Sequence, residues 1–260
     1  MKLTFLGTGA AFTLNNFHSN MIIEEDGKRL LIDAGGDVRF SLKSLGLTYQ
    51  DIESVYITHL HNDHIGGMEF LAFSSYFNPN CPKLRLFCHK WLLDDLWSFS
   101  LKGGLASIQG QILNIDDYFE VHGLGNGEQF LWQDIQLEIV QAIHVYNGYW
   151  VVPTFGLLIT APQSQKKIYM TSDTQMNLEY LGEHYNRADM ILHDCETSAF
   201  RTGVHSHYDE LRTLDPQTKA KMYLWHYQDN VLDEFDIWQE KAYNDGFAGF
   251  IYKGESMIIE

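Results

Sequence analysis

Cysteine is scarce in this chain. Cys81, Cys88 and Cys195 are an odd number with no CxxC spacing. They form neither a zinc-knuckle pattern nor an evident disulfide framework, which points to a reducing compartment, the cytoplasm. Basic residues are scarce too: 18 Lys and Arg face 34 Asp and Glu, a formal net charge of −16. Nucleic-acid binders gain affinity by neutralising phosphates with Lys and Arg, so a large nucleic acid is disfavoured as partner. A small anionic ligand stays compatible, because metal charge inside a site overrides the global field. Long apolar runs are missing as well. No window approaches the ~20 apolar residues of a membrane span, and residues 1–12 lack the pattern of a secretion signal.

What is present suffices for a folded core. With 260 residues and 45% hydrophobic composition, the chain can bury one without covalent staples. Residues 1–260 read as a single domain, since no repeat, low-complexity tract or Pro-rich linker interrupts them. Apolar runs bounded by Gly or Asp predict strands at 3–6, 21–23, 30–32, 55–57, 84–87, 135–140, 155–159, 168–170 and 190–192. Glu25-Asp26-Gly27-Lys28 is a hairpin-turn signal between two of them. Helical spacing occurs near 37–45, 65–77, 90–100, 207–220 and 232–241. Strands dominate the first third and helices interleave afterwards, an order that suits two sheets packed face to face with helices outside.

The informative stretch is Val55-Tyr56-Ile57-Thr58-His59-Leu60-His61-Asn62-Asp63-His64-Ile65-Gly66-Gly67. An apolar strand ends at Thr58, and four donors follow at once. His59 and His61 can turn toward one point while Asp63 and His64 face a neighbouring one. Imidazole nitrogen and carboxylate oxygen suit zinc, manganese or iron. Gly66-Gly67 lets the next helix start close to such ions without Cβ clashes. A single histidine on a loop is more often a hydrogen-bonded polar group than a ligand. Four donors packed behind a buried strand are not.

His59-Leu60-His61-Asn62-Asp63-His64 resembles the HxHxDH signature of the metallo-β-lactamase superfamily. Leu6-Gly7-Thr8-Gly9-Ala10-Ala11 and Leu31-Ile32-Asp33-Ala34-Gly35 resemble that family's opening strands. The resemblance spans nearly the whole chain and implies an α/β fold, the αββα sandwich, with metals at one edge of the sheets. It matches His144 to the family's lone His, Asp173 to its bridging Asp and His226 to its last His. The implied cofactors are two divalent metal ions, zinc first, with manganese or iron as alternatives. His59, His61, His144 and Asp173 would hold one. Asp63, His64, Asp173 and His226 would hold the other, with Asp63 also counted as catalytic and Asp33 as support.

Within that superfamily, Leu192-His193-Asp194-Cys195-Glu196-Thr197 followed by His205-Ser206-His207 resembles the tRNase Z-like phosphodiesterase branch. There an acid in a HEAT-like motif supports a His in an HST-like motif, which protonates the leaving oxygen. Matched by position, Asp194 is the supporting acid and His205 the proton donor. The chain reads HDCET for HEAT and HSH for HST, so His205 and His207 both stand as candidates. The long tRNA-binding arm of bacterial tRNase Z is missing, since residues 145–172 read as two strands around a turn at 161–167.

A compact, armless member resembles the anti-Pycsar proteins by which phages destroy cyclic pyrimidine-nucleotide signals. That resemblance implies hydrolysis of 3′,5′-cyclic mononucleotides (cyclic CMP and UMP, with cyclic AMP and GMP) to nucleoside monophosphates, and evasion of anti-phage defence in the host cytoplasm. It also implies a homodimer, for which segments 70–77 and 91–99 are aromatic enough to serve as interface. A tRNase Z-like ribonuclease and a lactone or ester hydrolase of the same fold are the alternatives. Phe70, Phe73, Tyr76, Phe77, Tyr146, Tyr149 and Trp150 are candidates for a base-stacking wall. Tyr146 and Tyr149 lead, because Asn147-Gly148 marks a turn beside His144. His18 and Asn20 are further candidates for the pocket lining.

Overall fold

The turn foreseen at residues 25–28 forms through Asp26 and Gly27, at φ 51° and 73°, which is the backbone a tight hairpin demands. It joins β2 (Asn20–Glu25) to β3 (Lys28–Ile32). The computed structural model describes residues 1–260. Its remaining early strands are β1 (Lys2–Gly7), β4 (Ser54–Ile57), β5 (Leu84–His89), a small hairpin β6–β7 (Ser107–Ile108, Gln111–Ile112) and β8 (Phe119–Leu124). Then come β9 (Gln129–Trp132), β10 (Ile135–Tyr146), β11 (Val151–Thr160), β12 (Lys167–Met170), β13 (Met190–Asp194), β14 (Met222–Trp225), β15 (Gly249–Phe250) and β16 (Ser256–Ile258). One sheet has the order β16-β1-β2-β3-β4-β5-β8, the other β15-β14-β13-β12-β11-β10-β9. Each is antiparallel in one half and parallel in the other: β3-β4-β5-β8 and β12-β13-β14-β15 run parallel.

The two sheets face each other across the main core. Leu137, Ile139, Leu157 and Ile159 point into it, while Val140 and Leu158 point outward to a second cluster. That alternation is the period of two expected of a strand. The outer cluster packs Tyr169, Ile191 and Leu224 against Leu181, Tyr185 and Tyr208 of the covering helices. Two buried hydrogen bonds cross between the sheets: Trp132 Nε1 donates to Ser54 Oγ at 3.0 Å, and Tyr56 Oη to the Phe155 carbonyl at 2.9 Å. The αββα sandwich is thus realised. No helix is long and apolar enough to cross a membrane.

The strand predictions hold at every position, but several helix boundaries change. The expected helix 207–220 is two short pieces, Tyr208–Leu211 and Pro216–Lys219. Pro216 bars the preceding residue from helical backbone, and Asp215 caps the new start through Thr218 N–H at 2.9 Å. The glycines at 66–67 divide 65–77 into Asn62–Ile65 and Met68–Tyr76. Helix 232–241 is likewise split, into Asp229–Asp233 and Phe235–Asn244. Helix Leu178–Arg187 went unforeseen, because only Leu181 and Tyr185 of it are buried. Strands also continue well past the first third, with β8 through β12 in near succession.

Candidate metal centre

Parallel strands gather their carboxyl ends at one edge, where open α/β sheets place ligands. Asp33 follows β3, Thr58 and the His59–His64 loop follow β4, and Ser172-Asp173 follow β12. Asp194 ends β13, and His226 follows β14. His144 enters from β10, beside a register shift between Ile143 and Val145. Left-handed backbone marks the spot. Six non-glycine residues have positive φ, and three of them are Asp33 (60°), Ser172 (57°) and His226 (59°). The others lie in hairpin turns. Such conformations persist only where the surroundings over-determine them, and they concentrate at functional sites.

The donors converge in the two sets that the sequence implied, His59-His61-His144-Asp173 and Asp63-His64-Asp173-His226. His61 Nδ1 lies 3.1 Å from His59 Nε2 and 3.2 Å from His144 Nε2. Asp173 Oδ2 lies 3.6 Å from His59 Nε2, 3.7 Å from His144 Nε2 and 3.3 Å from His64 Nε2, and its Oδ1 lies 3.5 Å from His226 Nε2. Asp63 Oδ2 faces His64 Nε2 at 3.2 Å and His226 Nε2 at 3.4 Å.

The far nitrogens of these rings are held from behind. His59 Nδ1 meets Thr58 Oγ1 at 3.0 Å, and that hydroxyl donates onward to Asp33 Oδ2. His64 Nδ1 meets Asp33 Oδ2 at 2.7 Å, and His144 Nδ1 the Val204 carbonyl at 2.7 Å. His226 Nδ1 lies 3.2 Å from Asp194 Oδ1. For His59, His64 and His144 such acceptors fix the tautomer and leave Nε2 facing the cluster, the arrangement of metal-ligating histidines, whereas His61 turns Nδ1 inward.

The electrostatics ask for cations. Asp33, Asp63, Asp173 and Asp194 are all buried, at 3%, 5%, 3% and 0% exposure. Their ion-pair partners are histidines alone. Burial works against charge on His226, but Asp173, Asp194 and Asp63 outweigh it and push the ring up to about 10. Burial likewise opposes charge on His64, yet Asp173, Asp63 and Asp33 hold it well above its ordinary value. Buried carboxylates without Lys or Arg need another positive charge, and His64 Nε2 is buried with no hydrogen-bond partner. Divalent cations fit both facts and this N/O donor set.

The segment 194–207 separates the two candidate acids. His205 Nδ1 donates to Asp194 Oδ2 at 2.8 Å, and its ring lies 4.7 Å from His144 and 4.9 Å from His226. His207, beyond a bend and at the N-cap of the helix Tyr208–Leu211, is turned to other partners. Its Nδ1 accepts Asp209 N–H at 3.2 Å as a helix cap, and its Nε2 donates to the Ser198 carbonyl at 3.0 Å. The expectation of His207 as an acid is therefore corrected.

Other candidates also move. Asn20 is fully buried; its amide donates to the His18 carbonyl and accepts Gly35 N–H, both at 2.8 Å. It fastens the Asp33 loop and does not line a pocket. Tyr146 and Tyr149 sit 61% and 86% exposed on the β10–β11 hairpin tip, with no hydrogen bond to the donor cluster. Phe70, Phe73 and Tyr76 are half-buried against the core. The sequence reading missed Thr58, the Val204 carbonyl and Gln175, whose Nε2 donates to the His144 carbonyl at 2.7 Å. Backbone acceptors leave no residue-type signal.

His18 stands behind the ligand loop rather than among the donors. A Cβ built on Gly35 would meet the Asp63 carbonyl at 2.3 Å and His18 Cβ at 2.8 Å. Gly35→Ala is therefore expected to displace Asp63 and to lower stability by about 1–3 kcal/mol. Thermal denaturation and metal stoichiometry check this; an unchanged transition with full metal content would count against it.

Comparison with known proteins agrees with this geometry. A family model described as "Anti-Pycsar protein Apyc1" matches residues 1–257. The Anti-Pycsar protein Apyc1 of Bacillus phage vB_BveM-Goe7 is 32% identical over 90% of this chain and 91% of its own length. That of Paenibacillus harenae is 30% identical over 89% of this chain and 91% of its own. In three dimensions the chain is similar to the metallo-beta-lactamase fold protein YhfI from Bacillus subtilis. Their TM-score is 0.73 at 15% identity, covering 98% of each chain. Matched from residue 1 to residue 257, the chain belongs to the Anti-Pycsar protein Apyc1 family.

Proposed function

We propose that this chain is a metal-dependent phosphodiesterase that hydrolyses 3′,5′-cyclic mononucleotides, cyclic CMP and UMP foremost, to nucleoside monophosphates. The observation that carries the reading is the Asp194–His205 pair, bonded at 2.8 Å beside two merged donor sets. A lactone or thioester hydrolase has little use for a charged imidazole aimed at the leaving group. Expelling an alkoxide from phosphorus does need a proton. Membership of a family named for countering Pycsar supports the cyclic pyrimidine nucleotides and a part in evading anti-phage defence.

Two divalent ions, zinc first, would supply Lewis acidity and a nucleophile at neutral pH when held by the sets above. The chain's own residues do the rest. Burial opposes a charge on His205, but Asp194, by charge and hydrogen bond, and then Asp173 keep the ring above its ordinary pKa. With Nδ1 held on Asp194, Nε2 gives its proton to the departing ribose oxygen as the phosphorus–oxygen bond breaks. Asp194 itself stays ionised: burial would raise it, yet His205 and His226 hold it down at about 2. Residues 1–260 act as one domain in this reading, since both sheets contribute donors.

The net charge of −16 and the direct passage from β11 to β12 speak for a small substrate rather than tRNA. We read the active form as a homodimer. Phe77, Trp91 and Phe99 of its two proposed interface segments are 62%, 61% and 84% exposed, and sedimentation at monomer mass would remove that part.

The test is a panel of cyclic CMP, UMP, AMP and GMP with Zn or Mn, run beside a lactone. Four intact nucleotides would sink the proposal. His205→Ala is expected to lower cyclic-nucleotide turnover about a hundredfold or more with metal content unchanged. A loss below threefold would remove His205 as the acid.

A further inference from the structure

Glu196 and His207 are among the positions where the chain departs from the HEAT- and HST-like patterns, and these two residues are bridge partners. Glu196 N–H donates to the Ser206 carbonyl, and Tyr208 N–H to the Glu196 carbonyl, both at 2.9 Å. The bridge closes the base of a loop that carries His205. Glu196 is 1% exposed, and no Lys, Arg or His pairs with its carboxylate. The carboxylate turns back into the loop. It accepts Thr202 N–H at 3.1 and 3.2 Å, and Ser198 Oγ lies 2.8 Å from it, its one proton shared with the Phe200 carbonyl. His207 Nε2 grips the same stretch through the Ser198 carbonyl at 3.0 Å. A buried carboxylate is costly to leave unsatisfied, and here its hydrogen bonds run to this one loop.

The loop reaches the metal-ligand segments at three points. The Val204 carbonyl fixes His144 Nδ1. Ser206 Oγ donates to the Thr174 carbonyl at 2.9 Å, next to Asp173. Thr197 Oγ1 donates to Gln228 Oε1 at 3.0 Å, two residues beyond His226. We propose that Glu196 and His207 are positioning residues, a clasp inside the 196–207 loop that holds the His205 ring on line with the leaving oxygen. The inference rests on His205 being the acid, as argued above. Neither clasp residue touches the donor sets; both act through the shape of the loop.

The experiment uses the metal-loaded protein and two substrates. Cyclic CMP expels an alkoxide and needs the acid, whereas bis(p-nitrophenyl) phosphate expels a phenolate that departs unprotonated. Glu196→Gln removes one charged acceptor, and His207→Asn keeps a helix cap while losing its reach to Ser198. Each variant should lose about tenfold or more in kcat on cyclic CMP, since misplacing a reacting group by an ångström can cost about a hundredfold. Each should keep its activity on the aryl ester within twofold and hold two ions per chain. Equal losses on both substrates, or no loss on either, overturn the clasp. His205→Ala, run alongside, keeps the two ideas apart. If it spares cyclic CMP, the acid assignment fails; if it shows the substrate split and the clasp variants do not, only the clasp fails.

Discussion

Asp173→Ala is expected to cut phosphodiester hydrolysis by roughly 10⁴-fold, which corresponds to about 5 kcal/mol of transition-state stabilisation. Metal content should fall below two ions per chain. Asp173 is the one residue common to both donor sets, with Oδ2 turned to His59, His64 and His144 and Oδ1 to His226. Burial would raise its carboxyl, but His226, His64 and His59 hold it well below the usual range. Removing it leaves four imidazoles facing one another without the anion that joins them, so any cation retained would lose its common anchor. The fold should survive, because the Asp173 backbone stays bonded through its carbonyl to Thr154 Oγ1 at 2.6 Å. Elemental analysis and kcat/KM on the same sample provide the check. Two tightly held ions with activity within tenfold of the parent would refute the shared role.

Much of this site was legible in the chain because most of its donors follow strand ends in sequence order, with His144 alone inside a strand. The run His59 to His64 needs only one strand, a short loop and the turn of helix Asn62–Ile65 to bring its donors together, so its meaning is local. His144, Asp173 and His226 were readable only in its company, each being one polar residue after an apolar run. What stayed hidden has a geometric cause. Residues two apart in a regular strand would share a face, but His205 lies in a bend and His207 caps the helix Tyr208–Leu211, so the two rings reach different partners. The sequence carries no sign of that bend, which Ser206 helps to hold by donating its hydroxyl to the Thr174 carbonyl. Asn20 reads from the sequence as a candidate for pocket lining, yet its bonds to His18 and Gly35 are those of a buried brace.

The fold divides along similar lines. Strands of the sandwich core announce themselves by Val, Ile and Leu, and all nine predicted runs fall inside observed strands. The edges do not. β15 and β16 are two and three residues long, too short for any period to register. Helix Leu178–Arg187 is polar on most of its surface and depends on Leu181 and Tyr185 finding the outer cluster. Its start is signalled only by Asn177, which caps Glu179 N–H at 3.1 Å.

Asp194→Asn should be nearly as damaging as loss of Asp173, for a different reason. Asp194 is fully buried and serves two histidines at once. Its Oδ2 accepts His205 Nδ1 at 2.8 Å and Thr174 N–H at 2.9 Å, and its Oδ1 lies 3.2 Å from His226 Nδ1. An asparagine matches the shape but offers one acceptor where two are needed, and it removes the charge that keeps His205 protonated. Loss of general acid catalysis accounts for about 10²-fold, and loosening a ligand from behind for another 10- to 100-fold. The combined expectation is roughly 10³- to 10⁴-fold on cyclic CMP. The aryl phosphodiester, which needs no acid, should suffer only the second part. The ratio of the two losses thus measures how the carboxylate divides its effect between proton delivery and metal binding. Equal losses on the two substrates would mean that Asp194 works through His226 alone, and the paired-acid mechanism would have to be given up.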